Sequence, residues 1–259
     1  GALFKLEEED DDVELWKVPG EWIETPPEYG MSMHQLLGHN SGLPDFRSAS
    51  GFDSTRDWTL AELADLVRDQ GVLWGPGADW LESFTDYVIA AQVLEHLSGQ
   101  DWRSNIEDEI LAPFELVHTE FPEAGEGWSY ALPSWQGDSP VNQDTQPTAW
   151  GPKAGAMSTA GDLATWMEAF LRSDLLDPGT INEIRETYFA TDEVYYGIGI
   201  QQEFSGGIVE LGHFSSLPGQ VGWAAYSPDL DASVAVLGNR DGNWRDAHDV
   251  ALRLWSVIS

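Results

Sequence analysis

The stretch MSMHQLLGHNSGLPDF, residues 31–46, constrains the fold of this chain more than any other feature of its sequence. Met33, Leu36 and Leu37 recur at helical spacing and form one apolar face. Gly38 stands where a helix C-cap is expected. The Asn-Ser-Gly that follows favours a turn, and the next proline prevents a return to helix. The sequence therefore predicts a short amphipathic helix that runs directly into a tight loop.

Further amphipathic helices are predicted in the part of the chain before residue 190. Thr59 and Glu62 form a capping box in front of an apolar face. Ser158 or Thr159 supplies the N-cap of a later helix. The predicted helices cover 59–68, 85–97, 102–111 and 178–188, and the apolar face of the helix that Ser158 or Thr159 caps consists of Leu163, Trp166, Met167, Phe170 and Leu171. Residues 122–152 are rich in Gly, Pro, Ser and Gln, which predicts either a pocket wall or a poorly structured insertion.

From Tyr195 onwards the sequence changes from helical spacing to strand-like segments. Four segments, YYGIGIQQEF, GGIVELGHF, GQVGWAAYSP and ASVAVLGN, are separated by Gly, Pro and Asp turns and predict an antiparallel meander. Trp244 to Ile258 returns to helical spacing and predicts a C-terminal amphipathic helix. Its predicted apolar stripe consists of Val250, Leu254, Val257 and Ile258, widened by Ala251 and Trp255.

The charge balance excludes several classes of partner. The chain has 45 acidic and 12 basic residues, for a formal net charge of −33 at pH 7. Such a surface repels nucleic acid and anionic membranes. Its self-repulsion indicates a protein adapted to high salt, and an acidic protein from an ordinary cell is the alternative. No apolar run of about 18 residues occurs, so no membrane span is predicted.

No metal or cofactor site is indicated by the sequence. The absence of cysteine excludes disulfides, thiolate nucleophiles and cysteine metal ligands. The six histidines show no metal-ligand spacing, and neither H-E-x-x-H nor a phosphate loop occurs. The acidic run at 7–12 lacks the spacing and the glycine of a calcium loop, so it predicts a solvated acidic face. We therefore expect neither a metal nor a cofactor.

Several segments together resemble the serine β-lactamase-like family, which includes class C β-lactamases, D-Ala-D-Ala carboxypeptidases and related esterases. LLGHNSGLPDF is similar to the family's LLTHTSGLPDY signature, and residues 154–171 and 212–239 are similar to two further family patterns. The resemblance implies an α/β (α+β) fold of the β-lactamase/transpeptidase type, with an antiparallel sheet flanked by helices plus a helical lobe. It also implies a single domain over 1–259, mainly helical at 30–190, with strands and the C-terminal helix at 191–259.

The acyl-transfer chemistry of this family uses three motifs, and the resemblance places the second on this sequence in altered form. Ser-x-x-Lys, which supplies the nucleophile and its base, does not occur. At Tyr-x-Asn, Glu82 takes the position of the tyrosine, Ser83 follows, and Phe84 takes that of the asparagine. A phenyl ring cannot hydrogen-bond a substrate amide. Glu82 is either a general base, if buried, or one more solvated glutamate.

The third motif, Lys-x-Gly or His-x-Gly on a strand, is half kept. His213 matches the histidine, whereas Ser215 stands where the family has glycine. His213 is either a structural histidine or a pocket residue that donates or accepts a hydrogen bond. The candidate catalytic residues are therefore His213 and Glu82, and the candidate substrate-binding residues are Ser83, Phe84, Ser215 and Trp150.

Two functional hypotheses follow from the resemblance. The chain is either a non-catalytic member that binds a ligand or partner, or part of an active serine hydrolase whose nucleophile lies on a segment outside this sequence. Its substrates would then be β-lactams, D-Ala peptides or esters. Residues 1–16 resemble the segment after the nucleophile helix, so we expect an N-terminal segment, a partner chain or a second copy to complete the fold. The start shows no signal-peptide pattern, and the resemblance favours an extracytoplasmic location.

The net charge generates a prediction about salt. Because self-repulsion at −33 is screened by ions, the melting temperature should fall as potassium chloride is lowered from molar to millimolar concentration. Thermal melts across that range measure the effect. A melting temperature that does not change with salt would contradict the assignment of the acidic surface to a high-salt environment.

Overall fold

The chain divides into two units in a computed structural model that describes residues 1–26, 29–128, 133–141, 144–172, 174–186, 189–190 and 195–258. The helical unit comprises Gly1–Pro113, Phe121–Gly127 and Thr145–Ala156. The sheet unit comprises Phe114–Glu120, Trp128–Asp144 and Met157–Ser259. The single-domain assignment, with lobes at 30–190 and 191–259, stays a prediction, and the boundary between those lobes touches 191–194, outside the described residues.

The described part of the helical unit is built from short helices around one long helix. The helices are α1 Ala2–Glu9, α2 Met33–Leu37, α3 Leu60–Asp65, α4 Phe84–Ser98, α5 Trp102–Ile106 and α6 Gly151–Ala154. A π-helical turn, Glu107–Leu111, continues α5, and 3-10 turns lie at Pro19–Glu21, Phe46–Ser48, Arg68–Gln70 and Pro147–Trp150. The long helix α4 packs against α1, α2, α3, α5 and α6. Its prediction at 85–97 is confirmed to within one residue at each end.

Side-chain caps fix where several of these helices begin. The predicted capping box of Thr59 and Glu62 is confirmed at the start of α3, which ends at Asp65 rather than at residue 68. Ser32 and Gln35 form a second capping box on α2 that the sequence analysis did not identify. These reciprocal bonds satisfy backbone N–H groups that a helix start leaves without partners.

The sheet unit contains the predicted antiparallel meander. Its helices are α7 Ala160–Leu171, α8 Pro178–Ile184 and α9 Trp244–Ile258. Its strands are β1 Trp135–Gln136, β2 Ser139–Pro140, β3 Phe189–Ala190, β4 Tyr195–Tyr196, β5 Gln201–Ser205, β6 Ile208–Leu217, β7 Gln220–Ser227 and β8 Ala232–Gly238. Among the described residues, β3 to β8 form a six-stranded antiparallel sheet in sequence order, and β1 pairs with β2. The last residues of the helix predicted at 178–188 lie outside the described residues.

One predicted strand is divided in two. The segment YYGIGIQQEF forms both β4 and β5, because the chain turns between them. Gly197 lies in this turn, where a Cβ atom would come within 2.3 Å of the carbonyl oxygen of Ile184 at the end of α8. Only glycine allows so close an approach, so the local packing interrupts a segment whose composition favours a continuous strand.

Helices cover both faces of the sheet around β7. Val234 of β8 packs with Trp223 and Trp255 in the core beneath α9. Ser233, which precedes Val234 on β8, contacts Glu168 of α7. Because neighbouring residues on a strand point to opposite faces, α7 and α9 lie on opposite sides of the sheet. This arrangement explains why β7 is buried along almost its whole length.

The C-terminal helix buries a different face from the predicted one. The described buried residues of α9 are Ala247, His248, Ala251 and Trp255, which confirms the prediction for the last two. The prediction for Val250, Leu254, Val257 and Ile258 is wrong, because these side chains are 43–84% exposed. The small alanines let α9 approach the sheet closely, and His248 reaches a buried carboxylate there. No helix in the described part of the chain has the length and apolar character to cross a membrane.

Candidate functional site

The residues that the family resemblance aligns with the second motif lie at the start of α4. Ser83 is the N-cap residue of α4 but makes no side-chain cap bond, and Phe84 is the first helical residue. Both side chains are buried. The Ser83 hydroxyl has no hydrogen-bond partner among the described residues. Ser83 is therefore held by its backbone at the start of α4 and by the packing around its buried side chain, and not by a side-chain capping bond.

Glu82, just before this helix, forms an ion pair with Lys153 of α6. Lys153 Nζ lies 2.5 Å from Glu82 Oε1, and the two side chains are only 10% and 25% exposed. Glu82 is therefore a largely buried ion-pair partner, which is a third arrangement beside the free base and the solvated glutamate. The proposed catalytic use of Glu82 stays a prediction.

Phe84 is surrounded by cations and aromatic rings. The Arg47 guanidinium carbon lies 3.6 Å from the centroid of the phenyl ring, and Lys153 Nζ lies 5.0 Å from it. Both positions are within the range of a cation–π interaction. The ring of Trp150 meets Phe84 edge-on at 6.4 Å. The structure therefore brings three of the candidate residues together: Glu82, Phe84 and Trp150.

Sequence reasoning missed Lys153 and Arg47 as members of this cluster. Lys153 is one of only three lysines in the chain. It immediately precedes the AGAMSTA segment, one of the segments on which the family resemblance rests. The scarcity of lysine was the one available signal, since a cation that is kept in so acidic a chain is expected to have a specific partner. Its partner lies 71 residues away in sequence, so local patterns could not identify it.

The loop after α2 is fixed to α4 by a buried carboxylate. Asp86 of α4 accepts a hydrogen bond from the Ser41 hydroxyl at 2.5 Å, and its other oxygen lies 2.7 Å from His39 Nδ1. All three residues are at most 1% exposed. His39 also adopts a left-handed backbone conformation, with a φ of 60°, which is uncommon for residues other than glycine. The side-chain bond to Asp86 holds the His39 ring in this conformation.

These residues have the composition of a catalytic triad but not its arrangement. In a triad the serine bonds to the histidine and the histidine to the aspartate. Here both Ser41 and His39 bond to Asp86, and the Ser41 oxygen also accepts the backbone N–H of Leu43. Burial raises the pKa of Asp86 well above its ordinary value. The geometry is that of a structural tie between a loop and a helix.

His213, the third-motif candidate, lies on β6 with both ring nitrogens in contact with protein atoms. Nδ1 lies 2.7 Å from the carbonyl oxygen of Phe214, and Nε2 lies 2.9 Å from the Tyr196 hydroxyl. A carbonyl oxygen can only accept, so Nδ1 carries the proton, and in the neutral ring Nε2 accepts from Tyr196. Ser215 is exposed and pairs across the sheet with Gly222. These two candidates belong to the sheet unit, whereas Glu82, Ser83, Phe84 and Trp150 belong to the helical unit.

A second buried carboxylate, Glu210, lies on the same strand as His213. Its oxygens accept hydrogen bonds from Trp223 Nε1 at 3.1 Å, Trp255 Nε1 at 2.9 Å and His248 Nε2 at 3.0 Å. These bonds join β6 to β7 and to α9, and Glu210 itself is fully buried. Within the described part of the chain, no three His, Asp or Glu side chains are grouped so that they could hold a metal ion.

A family model described as Beta-lactamase matches residues 6–257. Among curated relatives, penicillin-binding protein 4* of Bacillus subtilis (strain 168) is 29% identical over 102 residues, which are 38% of this chain and 23% of that protein. The chain therefore spans about a quarter of the length of the curated relatives that it matches.

Solved structures share the fold. D-amino acid amidase from Ochrobactrum anthropi SV3, in complex with D-phenylalanine, gives a TM-score of 0.81 at 22% identity, covering 92% of this chain and 81% of that one. The octameric penicillin-binding protein homologue from Pyrococcus abyssi gives a TM-score of 0.79 at 23% identity, covering 98% of this chain and 63% of that one. These likenesses establish a β-lactamase/transpeptidase-like fold, as the sequence predicts.

The raised pKa of Asp86 generates a prediction about pH. Because the folded state favours the protonated carboxyl, its contribution to stability is complete below the ordinary pKa of 3.8 and is lost as the pH rises through the raised value. The wild type should therefore lose stability relative to Asp86→Asn as the pH rises from about 4 to 8. Denaturant unfolding at constant molar potassium chloride measures this difference.

The control for this experiment is Asp69→Asn, because Asp69 is exposed. The difference in unfolding free energy between the wild type and this control should stay constant over the same pH range. A constant difference for Asp86→Asn, or one in which the wild type gains stability with pH, would show that Asp86 is not held in its protonated form.

Proposed function

This chain belongs to the beta-lactamase family, and on that premise we propose that it is a ligand-binding member whose second acyl-transfer motif is replaced by an ion pair. The carrying observation is the 2.5 Å contact between Lys153 Nζ and Glu82 Oε1, at the position given to the catalytic tyrosine by the family resemblance. One oxygen of this carboxylate is occupied by an ammonium. The group is therefore poorly placed to take a proton from a nucleophile.

Phe84 supports the same proposal. At the position given to the asparagine, a phenyl ring offers neither a donor nor an acceptor to a substrate amide. Its burial and its contacts with Arg47 and Lys153 make it part of the packed interior of the helical unit. A site built in this way is suited to holding a ligand by charge and apolar contact rather than to orienting an acyl group for attack.

We propose an amino acid or its amide as the ligand. Glu82 and Lys153 present a carboxylate and an ammonium side by side, and a zwitterionic ligand offers a partner of opposite charge to each. Trp150, half-buried beside Phe84, supplies aromatic surface for an apolar side chain. The similar D-amino acid amidase was solved with D-phenylalanine, which makes this compound the first ligand to test.

A second candidate function is an active serine hydrolase whose nucleophile lies on a segment outside this sequence. The arrangement of His213 favours it, because the Phe214 carbonyl and the Tyr196 hydroxyl fix one tautomer at the position of the third motif. In that case the natural full-length polypeptide should be acylated by a β-lactam, and Glu82→Gln should slow the acylation. Under our first proposal neither effect occurs.

We propose that the chain assembles as a homo-oligomer. The similar penicillin-binding protein homologue from Pyrococcus abyssi is octameric. We also propose a high-salt, extracytoplasmic setting, since the net charge of −33 suits the first and the family suits the second.

The proposal predicts binding without turnover. In molar potassium chloride, the 259-residue chain should form no covalent adduct with a fluorescent penicillin and should hydrolyse neither a nitrophenyl ester nor D-phenylalanine amide. Calorimetry should detect binding of D-phenylalanine, weakened about tenfold or more by Lys153→Met because one charge-assisted bond is lost.

The matched control is Lys17→Met, which removes an exposed lysine and should leave the affinity unchanged. Stoichiometric acylation that a serine-reactive phosphonate abolishes would refute the absence of catalysis. Failure to bind D-phenylalanine and its amide, with no acylation, would refute the ligand assignment alone.

A further inference from the structure

Four aromatic rings form a stacked column in the sheet unit. His213 stacks on Phe214, Phe214 on Trp244, and Trp244 on Trp223, with successive centroids 5.2, 5.3 and 5.4 Å apart. The planes of neighbouring rings are inclined by only 22–24°. Offset stacking at these distances is favourable, so the orientation of each ring depends on the next. The column runs from the third-motif histidine on β6 to the buried indole on β7, and its third ring comes from α9.

The Trp223 end of the column is anchored to the strand that carries His213. Trp223 donates its Nε1–H to Glu210, which precedes His213 by three residues on β6. Trp255 and His248 of α9 bond to the same carboxylate. The indole of Trp223 is therefore held by its own bond to a fully buried carboxyl group, and this end of the column cannot shift without breaking that bond.

The other end of the column is the imidazole itself. The 2.7 Å bond from Nδ1 to the Phe214 carbonyl favours the Nδ1–H tautomer, and that carbonyl belongs to the residue whose ring stacks on Trp244. His213 and Phe214 are both half-buried, so neighbouring side chains rather than complete burial must hold their rings. The Arg245 guanidinium, 4.7 Å from the centroid of Trp244, adds a cation–π contact to the third ring.

We propose that α9 controls the third-motif position through this column, with Trp244 as the positioning residue. Trp244 holds the ring of Phe214, and Phe214 holds the imidazole of His213 with Nδ1–H on its carbonyl and Nε2 towards Tyr196. Any ligand or partner that moves the first turn of α9 therefore changes which nitrogen of His213 carries the proton. The importance of His213 rests on the functional proposals above, whereas the column does not depend on them.

The test reads the tautomer of His213 from long-range ¹H–¹⁵N spectra of the ligand-free chain, assigned with a His213→Gln variant. The wild type should show the Nδ1–H signature. Trp244→Leu removes the third ring and should convert about half or more of the population to Nε2–H, because the bond that selects the tautomer is weakened. Trp244→Phe keeps a ring at this place and should retain the wild-type signature.

The matched control is Trp255→Phe, which removes a donor from Glu210 but no ring from the column. It should lower the melting temperature while leaving the His213 signature unchanged, so a merely structural effect is distinguished from positioning. Phe214→Leu is the second variant, for use if Trp244→Leu does not fold, and it should cause the same conversion. An unchanged tautomer in the folded leucine variants, or an equal change in Trp255→Phe, would overturn the proposal. Neither result depends on whether D-phenylalanine binds.

Discussion

Each unit of this protein is organised around a buried carboxyl group whose hydrogen-bond partners are hydroxyl, indole or imidazole groups. Asp86 joins α4 to the loop after α2 through Ser41 and His39. Glu210 joins β6 to β7 and α9 through two indoles and an imidazole. A buried polar group without hydrogen-bond partners costs several kcal/mol, so these bonds fix the elements that take part in them. A chain with only 12 basic residues has few cations for this purpose, which explains why such donors replace them.

In a chain with so few basic residues, the largely buried ion pair of Lys153 with Glu82 is an exception to this pattern. Lys153 is kept against Glu82, with both side chains largely buried, and it also lies near the ring of Phe84. Glu82 and Phe84 are consequently parts of one arrangement. Lys153 gives Glu82 a cationic partner and gives the ring of Phe84 a cation–π contact. Together with the ammonium they form one largely buried cluster of Glu82, Lys153 and Phe84.

Local signals in the sequence predicted much of the fold. The capping box at Thr59 and the glycine after α2 depend on residues within one helical turn, and both are confirmed. The Glu82–Lys153 pair could not be predicted, because it joins residues 71 positions apart. The buried face of α9 was placed wrongly because apolar spacing alone does not show which part of a wide apolar sector meets the sheet. There the small Ala251 and the bond from His248 decided the outcome.

A double-mutant cycle on Glu82 and Lys153 tests most directly the claim that an ion pair has replaced the second motif. It requires the unfolding free energies of the wild type, Glu82→Gln, Lys153→Met and the double variant in molar potassium chloride. Because salt screens exposed pairs far more than largely buried ones, the account predicts a surviving coupling energy of about 0.5–3 kcal/mol. A coupling energy of zero within error would contradict it, because the two side chains would then not interact in solution.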